Sequence, residues 1–402
     1  MKKAFAGNTG PRVRSDCGVT LGITQKGGIN IDLKSKVGAL YGDSVSELCH
    51  EVLAYFGIRN ADLVVEDSGA LPFVIMARLE AAIKKLIESD KEFLPPMLPK
   101  NLYATEPGRT RFSRLYLPGN NPALMINAGL HSADGIILDL EDSVAPEKKN
   151  EARFLVRNAL RQIDFRGAER MVRINQGKAG LDDLRCVIPN NVNLVLIPKC
   201  ESPDHVKEVD YEINKIRKEL RLKTRTFLIP VVESALGVEN AFSIAGASEN
   251  VVAMAIGLED FTADLGVQRT IDGNESFYAR TRIVNAAKAA RIQPIDSVFS
   301  DITDIAGLTQ NVLRSKALGF EGMGCIHPRQ IRIINQGYAP SEDEIDKAGK
   351  IVLAWEEARK KGLGVVALGT KMIDAPVVAR ALKTINLAVK LGKIPADWKS
   401  QE

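Results

Sequence analysis

The sequence predicts an α/β protein: a (β/α)8 barrel preceded by a small α+β domain and followed by a helical C-terminal extension. Three observations carry this. Beyond residue 109, apolar runs alternate with helical segments, the pattern of βα repeats. Eight such runs over roughly 220 residues suit a closed barrel. Polar or charged groups follow strand after strand at one end only, as at the C-terminal rim of an active barrel.

At 402 residues the chain is long for one domain, and 45% hydrophobic content suffices for a sizeable core. The net charge of +4 is spread along the chain and aromatics are sparse at 5%, so nucleic-acid binding is not suggested. Five cysteines, Cys17, Cys49, Cys186, Cys200 and Cys325, lie far apart with no CxxC pair, which suits free thiols in a reducing compartment. The first residues lack the apolar core of a secretory leader, and no run approaches the ~18 apolar residues of a membrane span. The expectation is a soluble, cytoplasmic protein.

Residues 7–14 form a Gly/Pro/Arg-rich polar lead-in. Runs at 17–23 and 29–33, split by Lys26-Gly27-Gly28, predict a β-hairpin. Asp43-Ser44 can cap a helix through Phe56 that Gly57 ends, residues 61–65 predict a strand, Asp67-Ser68-Gly69 a turn, and 73–87 a second helix. Tyr41-Gly42-Asp43-Ser44, residues 64–71 and Ala77-Arg78-Leu79-Glu80-Ala81 resemble the acyl-carrier (gamma) subunit of citrate lyase, over residues 4–85. That family carries a phosphoribosyl-dephospho-CoA arm on a serine. Here Arg14 falls at the usual serine position, and Ser15 is the acceptor the resemblance leaves. The alternative is a carrier fold without its arm, kept for docking or oligomerisation.

Pro95, Pro96, Pro99 and Pro107 make residues 92–108 a stiff, extended linker. The barrel strands are predicted at 113–117, 135–139, 170–174, 193–197, 225–231, 251–256, 293–298 and 322–326. The domain boundaries follow: 1–91, a linker 92–108, a barrel 109–340 and an extension 341–402.

Asp139, Glu141 and Asp142 crowd the end of the second barrel strand. Like charges in one pocket raise one another's pKa, so a cation, most simply a metal ion, is expected there; the three are candidate catalytic acids. Asp142 or Ser143 capping the next helix is the plainer alternative. Glu233 and Asp260 follow consecutive strands, and two oxygen ligands with open positions suit Mg²⁺. The plainer alternative for each is again a helix cap. Backbone N–H groups of the Gly257-Leu258-Glu259-Asp260 turn are candidates for gripping a carboxylate or enolate oxygen, which makes Gly257 and Glu259 candidate substrate contacts. Arg173 after an apolar strand can grip a substrate carboxylate, pair with Glu141 or Asp142, or do both. His327 reads as structural.

Several motifs together resemble the citrate lyase beta subunit, of the HpcH/HpaI aldolase superfamily, over residues 109–395. They are residues 114–120, Leu138-Asp139-Leu140-Glu141-Asp142-Ser143, Val172-Arg173-Ile174-Asn175, Ile197-Pro198-Lys199, Pro230-Val231-Val232-Glu233, Gly257-Leu258-Glu259-Asp260 and Ile326-His327-Pro328. The resemblance implies a Mg²⁺-dependent lyase of 3-hydroxy-acyl thioesters, with Glu233 and Asp260 as metal ligands and Arg173 on the keto-acid carboxylate. It places Arg114, Pro118 and Gly119 beside a CoA-like arm. Met372-Ile373-Asp374-Ala375-Pro376 is similar to a motif of related lyases whose aspartate does acid/base work, often at a neighbouring subunit's site; a helix cap is the other reading. Gly362, Gly364 and Gly369 would let the extension close as a lid. Three functions follow: cleavage of a citryl thioester to oxaloacetate and an acetyl thioester; a malyl-CoA or citramalyl-CoA lyase using free CoA thioesters; or a non-catalytic carrier. The resemblance further implies an alpha-type CoA-transferase partner and a homotrimer or homohexamer.

Overall fold

The chain separates into two units, 1–331 and 332–402, and the computed structural model describes residues 2–362, 364–368 and 371–401. The first unit opens with β1 (Lys3–Gly7), β2 (Cys17–Ile23), β3 (Ile29–Ser35), α1 (Gly38–Tyr55), β4 (Ala61–Asp67) and α2 (Pro72–Lys84). The sheet order is β1-β2-β4-β3. This corrects the expected hairpin: β2 runs antiparallel and β3 parallel to β4, on opposite sides of it. β4 buries alternate side chains and takes the middle. β3, half-exposed on one face and exposed on the other, takes an edge. Strand β1, for which the sequence pattern predicts no strand, pairs with β2. Helix α1 starts at Gly38 rather than at Asp43-Ser44, with no side-chain cap, and Gly57 (φ +77°) follows its end.

The barrel strands are β5 (Ser113–Pro118), β6 (Gly135–Asp139), β7 (Glu169–Arg173), β8 (Leu194–Ile197), β9 (Phe227–Val232), β10 (Ala253–Ile256), β11 (Gln293–Ile295) and β12 (Met323–Cys325). Each pairs in parallel with the next from β5 to β11, and β12 returns to β5. A parallel bridge between Asp296 and Met323 closes the ring. Between the strands lie α3 (Pro122–Met125), α4 (Lys149–Gln162), α5 (Gly177–Val187), α6 (Pro203–Glu219), α7 (Ala235–Glu239), α8 (Ala241–Ala245), α9 (Leu258–Asp264), α10 (Phe277–Ala289) and α11 (Ile305–Leu318), and α12 (Pro328–Tyr338) follows β12. Ile137, Met171, Leu196, Ile229, Ala255 and Ile295 fall in one buried cluster with Tyr116 against it, the expected inner layer of such a barrel.

The N-terminal domain is fastened to α4. Fully buried Arg78 of α2 bonds both carboxylate oxygens of Asp16 (3.0 and 2.8 Å) and lies 3.5 Å from Glu151, which also meets Lys148 and Lys85. Arg157 of α4 grips Glu80 of α2 through two bonds of 2.9 and 2.7 Å. The linker, expected to be extended throughout, contains a 3-10 turn at Pro99–Asn101 and is strapped down. Glu92 bonds Arg157, Arg161 donates to Pro95 O, Gln162 to Pro96 O, and Asn101 to Ile163 O.

The second unit contains α13 (Glu342–Lys360), β13 (Val366–Leu368), β14 (Lys371–Ile373) and α14 (Ala375–Lys390). Ser341 and Glu344 form a reciprocal capping box on α13, and Ala348, Val352, Ala381 and Ile385 pack together. The extension is therefore not wholly helical: β13 and β14 pair as a hairpin. Of the glycines expected to hinge it, Gly362 has φ +73°, and Gly369 lies outside the described residues. Among the described residues no helix is long and apolar enough to cross a membrane.

Candidate active site

The period-2 rule builds the site. Positions in phase with the inner layer continue upward as Tyr116, Asp139, Arg173, Glu233, Gly257 and Ser297, and all of these line one cavity of about 260 Å³ at the C-terminal rim. The cavity also takes in Arg114, Asp142, Glu259, Asp260 and Asp296.

The cationic charge expected beside the acids after β6 is supplied by two side chains, Arg173 and Lys199. Arg173 bonds both oxygens of Asp139 (2.6 and 2.7 Å) and reaches Glu141 at 3.0 Å and Asp142 at 3.8 Å. Lys199, just past β8, sets its ammonium 3.7 Å from Glu141, 3.6 Å from Asp142 and 3.5 Å from Asp260. Neighbouring parallel strands β6, β7 and β8 bring these cations to the same rim as the acids. Burial alone would raise Asp139's carboxyl, but the Arg173 bonds and charge outweigh it and hold it low. Glu141 is raised, by burial and then by Asp142. Arg173 and Lys199 stay charged: burial opposes it, but Asp139 in the first case and Glu141, Asp260 and Asp142 in the second outweigh burial. Neither Asp142 nor Ser143 caps α4, whose cap position is Lys148; Asp139 accepts from the N–H groups of Glu141 and Ser143.

Glu233 and Asp260 point into the same cavity, and neither is a helix cap. Ser234 caps α7 by accepting from Gly237 N, Gly257 precedes α9, and Asp260 lies in the first turn of α9. Glu233 is buried and accepts from Lys199 N at 2.9 Å. Burial, with Asp260 and Glu141 adding to it, pushes its carboxyl up to about 7 despite that bond. Gly257 makes room, since a Cβ there would lie 2.4 Å from Glu233 Oε1. A buried carboxylate short of positive charge beside a 43%-exposed one fits a hard divalent cation that keeps open positions for substrate. Among the described residues no group of three or more His, Cys, Asp and Glu is placed to hold a metal ion.

The Gly257 turn does not present its first two amides as an anion hole. Gly257 N donates to Val232 O and Leu258 N to Ser297 Oγ. Glu259 pairs with Arg269 at 2.7 Å, so its carboxylate does not face an incoming anion alone. Arg114 is buried in the cavity wall. Gly119 N donates to Asp139 O, and Asn120 O accepts from Arg78 and Asn8, so the loop after β5 leans on the N-terminal domain. Ser15 is half-buried at φ +54°, its N–H bonded to Ser68 O, next to buried Asp16. Asp374 caps α14 by accepting from Val377 N at 3.2 Å. His327 Nδ1 accepts from Arg329 N, a structural role. Sequence reasoning passed over Tyr116, whose ring lies 5.5 Å from the Arg173 guanidinium, and gave Lys199 no role. The signal for Tyr116 was there: it shares the inward phase of β5.

Residues 113–328 match the family model described as HpcH/HpaI aldolase/citrate lyase, and residues 1–86 match that of the malonate decarboxylase delta subunit, an acyl-carrier type. The chain is 39% identical over 287 residues to citrate lyase subunit beta of Leuconostoc mesenteroides subsp. cremoris, spanning 70% of this chain and 94% of that protein. It is 33% identical to mitochondrial citramalyl-CoA lyase of Homo sapiens, spanning 69% and 85%. The structure of protein CitE from Mycobacterium tuberculosis in complex with magnesium, acetoacetate and coenzyme A is similar with a TM-score of 0.59 at 30% identity, covering 69% of this chain and 98% of that one.

Proposed function

Since the chain belongs to the HpcH/HpaI aldolase/citrate lyase family and is a carbon–carbon lyase, we propose that it cleaves a 3-hydroxy-acyl thioester with Mg²⁺ as cofactor, a citryl thioester giving oxaloacetate and an acetyl thioester. The observation that carries this reading is Glu233 and Asp260, from consecutive βα units, facing one cavity with Arg173. The complexes of similar proteins with magnesium and coenzyme A support it.

Glu233 and Asp260 would hold the cation, which when bound supplies positive charge that eases loss of the hydroxyl proton. The outer N–H groups of Arg173 meet the carboxylate beside the carbinol carbon, while Asp139 and Glu141 lock the guanidinium plane. Asp142, on the cavity wall and half-exposed, takes the hydroxyl proton. The O–H electron pair becomes the new C=O bond, the C–C pair passes to the thioester α-carbon, and the enolate is protonated there. Asp374 is assigned that proton on its motif alone, in keeping with residues 341–402 closing as a lid.

Arg114, Pro118 and Gly119 are assigned to the CoA-like portion, and Ser15 to an arm if one is attached. A cytoplasmic homo-oligomer with an alpha-type transferase partner belongs to this reading. A second reading, a malyl-CoA or citramalyl-CoA lyase on free CoA thioesters, is favoured by Arg14 and by the buried ion pairs that fasten the carrier-like domain. The test is 2-oxo-acid release from citryl-CoA, citramalyl-CoA and malyl-CoA, with intact mass reporting on Ser15. Glu233→Gln is expected to lower kcat/KM at least ~100-fold, about 2.7 kcal/mol. A loss under threefold overturns the reading.

A further inference from the structure

Lys199 occupies an unusual position. It is a non-glycine residue at φ +45°, a left-handed conformation that side chains adopt only when the surroundings impose it. The conformation turns its backbone and its side chain to two tasks. The N–H donates to Glu233 Oε2 at 2.9 Å. The ammonium reaches into the acids, 3.5 Å from Asp260 Oδ1, 3.7 Å from Glu141 Oε1 and 3.6 Å from Asp142 Oδ2. Five carboxylates, Asp139, Glu141, Asp142, Glu233 and Asp260, crowd this rim, and Arg173 is committed to the first three. Among the described residues the Lys199 ammonium is the cation beside Asp260, and the Lys199 amide holds Glu233.

We propose that Lys199 is a positioning residue that acts as a resident counter-ion, holding the acidic arms in place before the divalent cation enters and competing with it for Asp260. This rests on the reading that Glu233 and Asp260 bind that cation. An ammonium 3.5 Å from Asp260 lies within a few ångströms of any cation on that carboxylate, where repulsion is screened least. Lys199 must therefore swing toward Glu141 and Asp142 as the cation binds. Affinity for the free cation is held down, and the carboxylates do not collapse or repel one another without it.

The experiment is calorimetric titration of the full-length protein with MgCl₂ alone, and with MnCl₂ followed by EPR, without substrate. Lys199→Met removes the ammonium. Lys199→Gly also removes it, while keeping the amide and the positive φ at no cost. Lys199→Arg keeps the charge. Both neutral variants are expected to bind Mg²⁺ at least ~10-fold more tightly than wild type, and Lys199→Arg to stay within about threefold. If wild type binds saturably, Glu233→Gln abolishes it, and the neutral variants bind no more tightly, the counter-ion proposal falls alone. The same holds if all three variants shift together, since the charge is then not the cause. If wild type shows no saturable binding, the metal reading falls and this proposal with it. Should Lys199→Met not fold, Lys199→Gly decides.

Discussion

Replacing Arg78 with Met should detach the N-terminal domain locally while leaving the barrel folded. Arg78 is fully buried, and its partner Asp16 is 2% exposed. Without the guanidinium, Glu151 keeps Lys148 at 2.9 Å and Lys85 at 3.3 Å, but Asp16 keeps only Asn8 Nδ2 and the Cys17 N–H. Removing one partner of a buried ion pair costs about 3–5 kcal/mol, because a charge is left buried and uncompensated. Glu151 keeps its lysines, which points to the lower end, about 3 kcal/mol. Native-state hydrogen exchange reads this directly. Amides of β2, which pairs with both β1 and β4, should exchange about 100-fold faster in the variant, with β8 and β9 unchanged. Asp16→Asn combined with Arg78→Met should recover part of the loss. A change below about 1 kcal/mol, the size of an exposed pair, would refute the argument that this network fastens the domain.

Gly257→Ala should weaken Mg²⁺ binding at least ~10-fold, because the new methyl meets Glu233 Oε1 at 2.4 Å while the Lys199 amide holds the other oxygen; calorimetry checks it. Arg173→Lys should lower kcat/KM by about 100-fold with the fold intact by circular dichroism, since an ammonium cannot span both Asp139 oxygens and still meet a substrate carboxylate. Asp374→Asn keeps a helix cap, so its melting temperature should hold within a few degrees; the assigned proton transfer predicts a large fall in kcat, and unchanged kcat would remove Asp374 from the mechanism. Burial pushes the thiols of Cys49, Cys200 and Cys325 up to about 12. Below pH ~8.5 they are protonated in folded and unfolded chains alike and contribute nothing. Above it the unfolded chain sheds protons that the folded one keeps, so stability should fall with pH by up to ~1.4 kcal/mol per pH unit per thiol, and urea midpoints with it; a midpoint flat from pH 8 to 10.5 would contradict this.

The barrel was legible because apolar runs recur with polar or charged groups after them, from Asp139 through Arg173 to Glu233. The expectation that such groups occupy one end only is corrected: Glu169 and Arg170 open β7, and Arg111 pairs with Glu169 at the buried opposite end. The observed strands fall within a few residues of those the pattern predicts. The order of the N-terminal sheet was not legible. Local pattern marks β2 and β3 as strands but is silent on β4 coming between them, which depends on α1 crossing back over the sheet. The β13–β14 hairpin escaped because three-residue strands leave little periodicity to detect. At the site, the acids announced themselves, and their neutralisation did not. Lys199 looked like any rim lysine, since nothing in a side chain's identity marks a left-handed backbone. The strapping of the linker was likewise hidden, because it comes from side chains of α4 that meet residues 92–101 only in the folded chain.

The position of a bound divalent cation is the decisive observable. Crystals of the full-length protein soaked in MnCl₂, with anomalous differences recorded near the manganese edge, answer it directly. The prediction is one strong peak in the rim cavity, ~2.1 Å from a carboxylate oxygen of Glu233 and of Asp260, with Lys199 Nζ moved away from Asp260. A peak on Asp139, Glu141 and Asp142 with Glu233 bare, or no peak in the cavity at saturating MnCl₂, would contradict it.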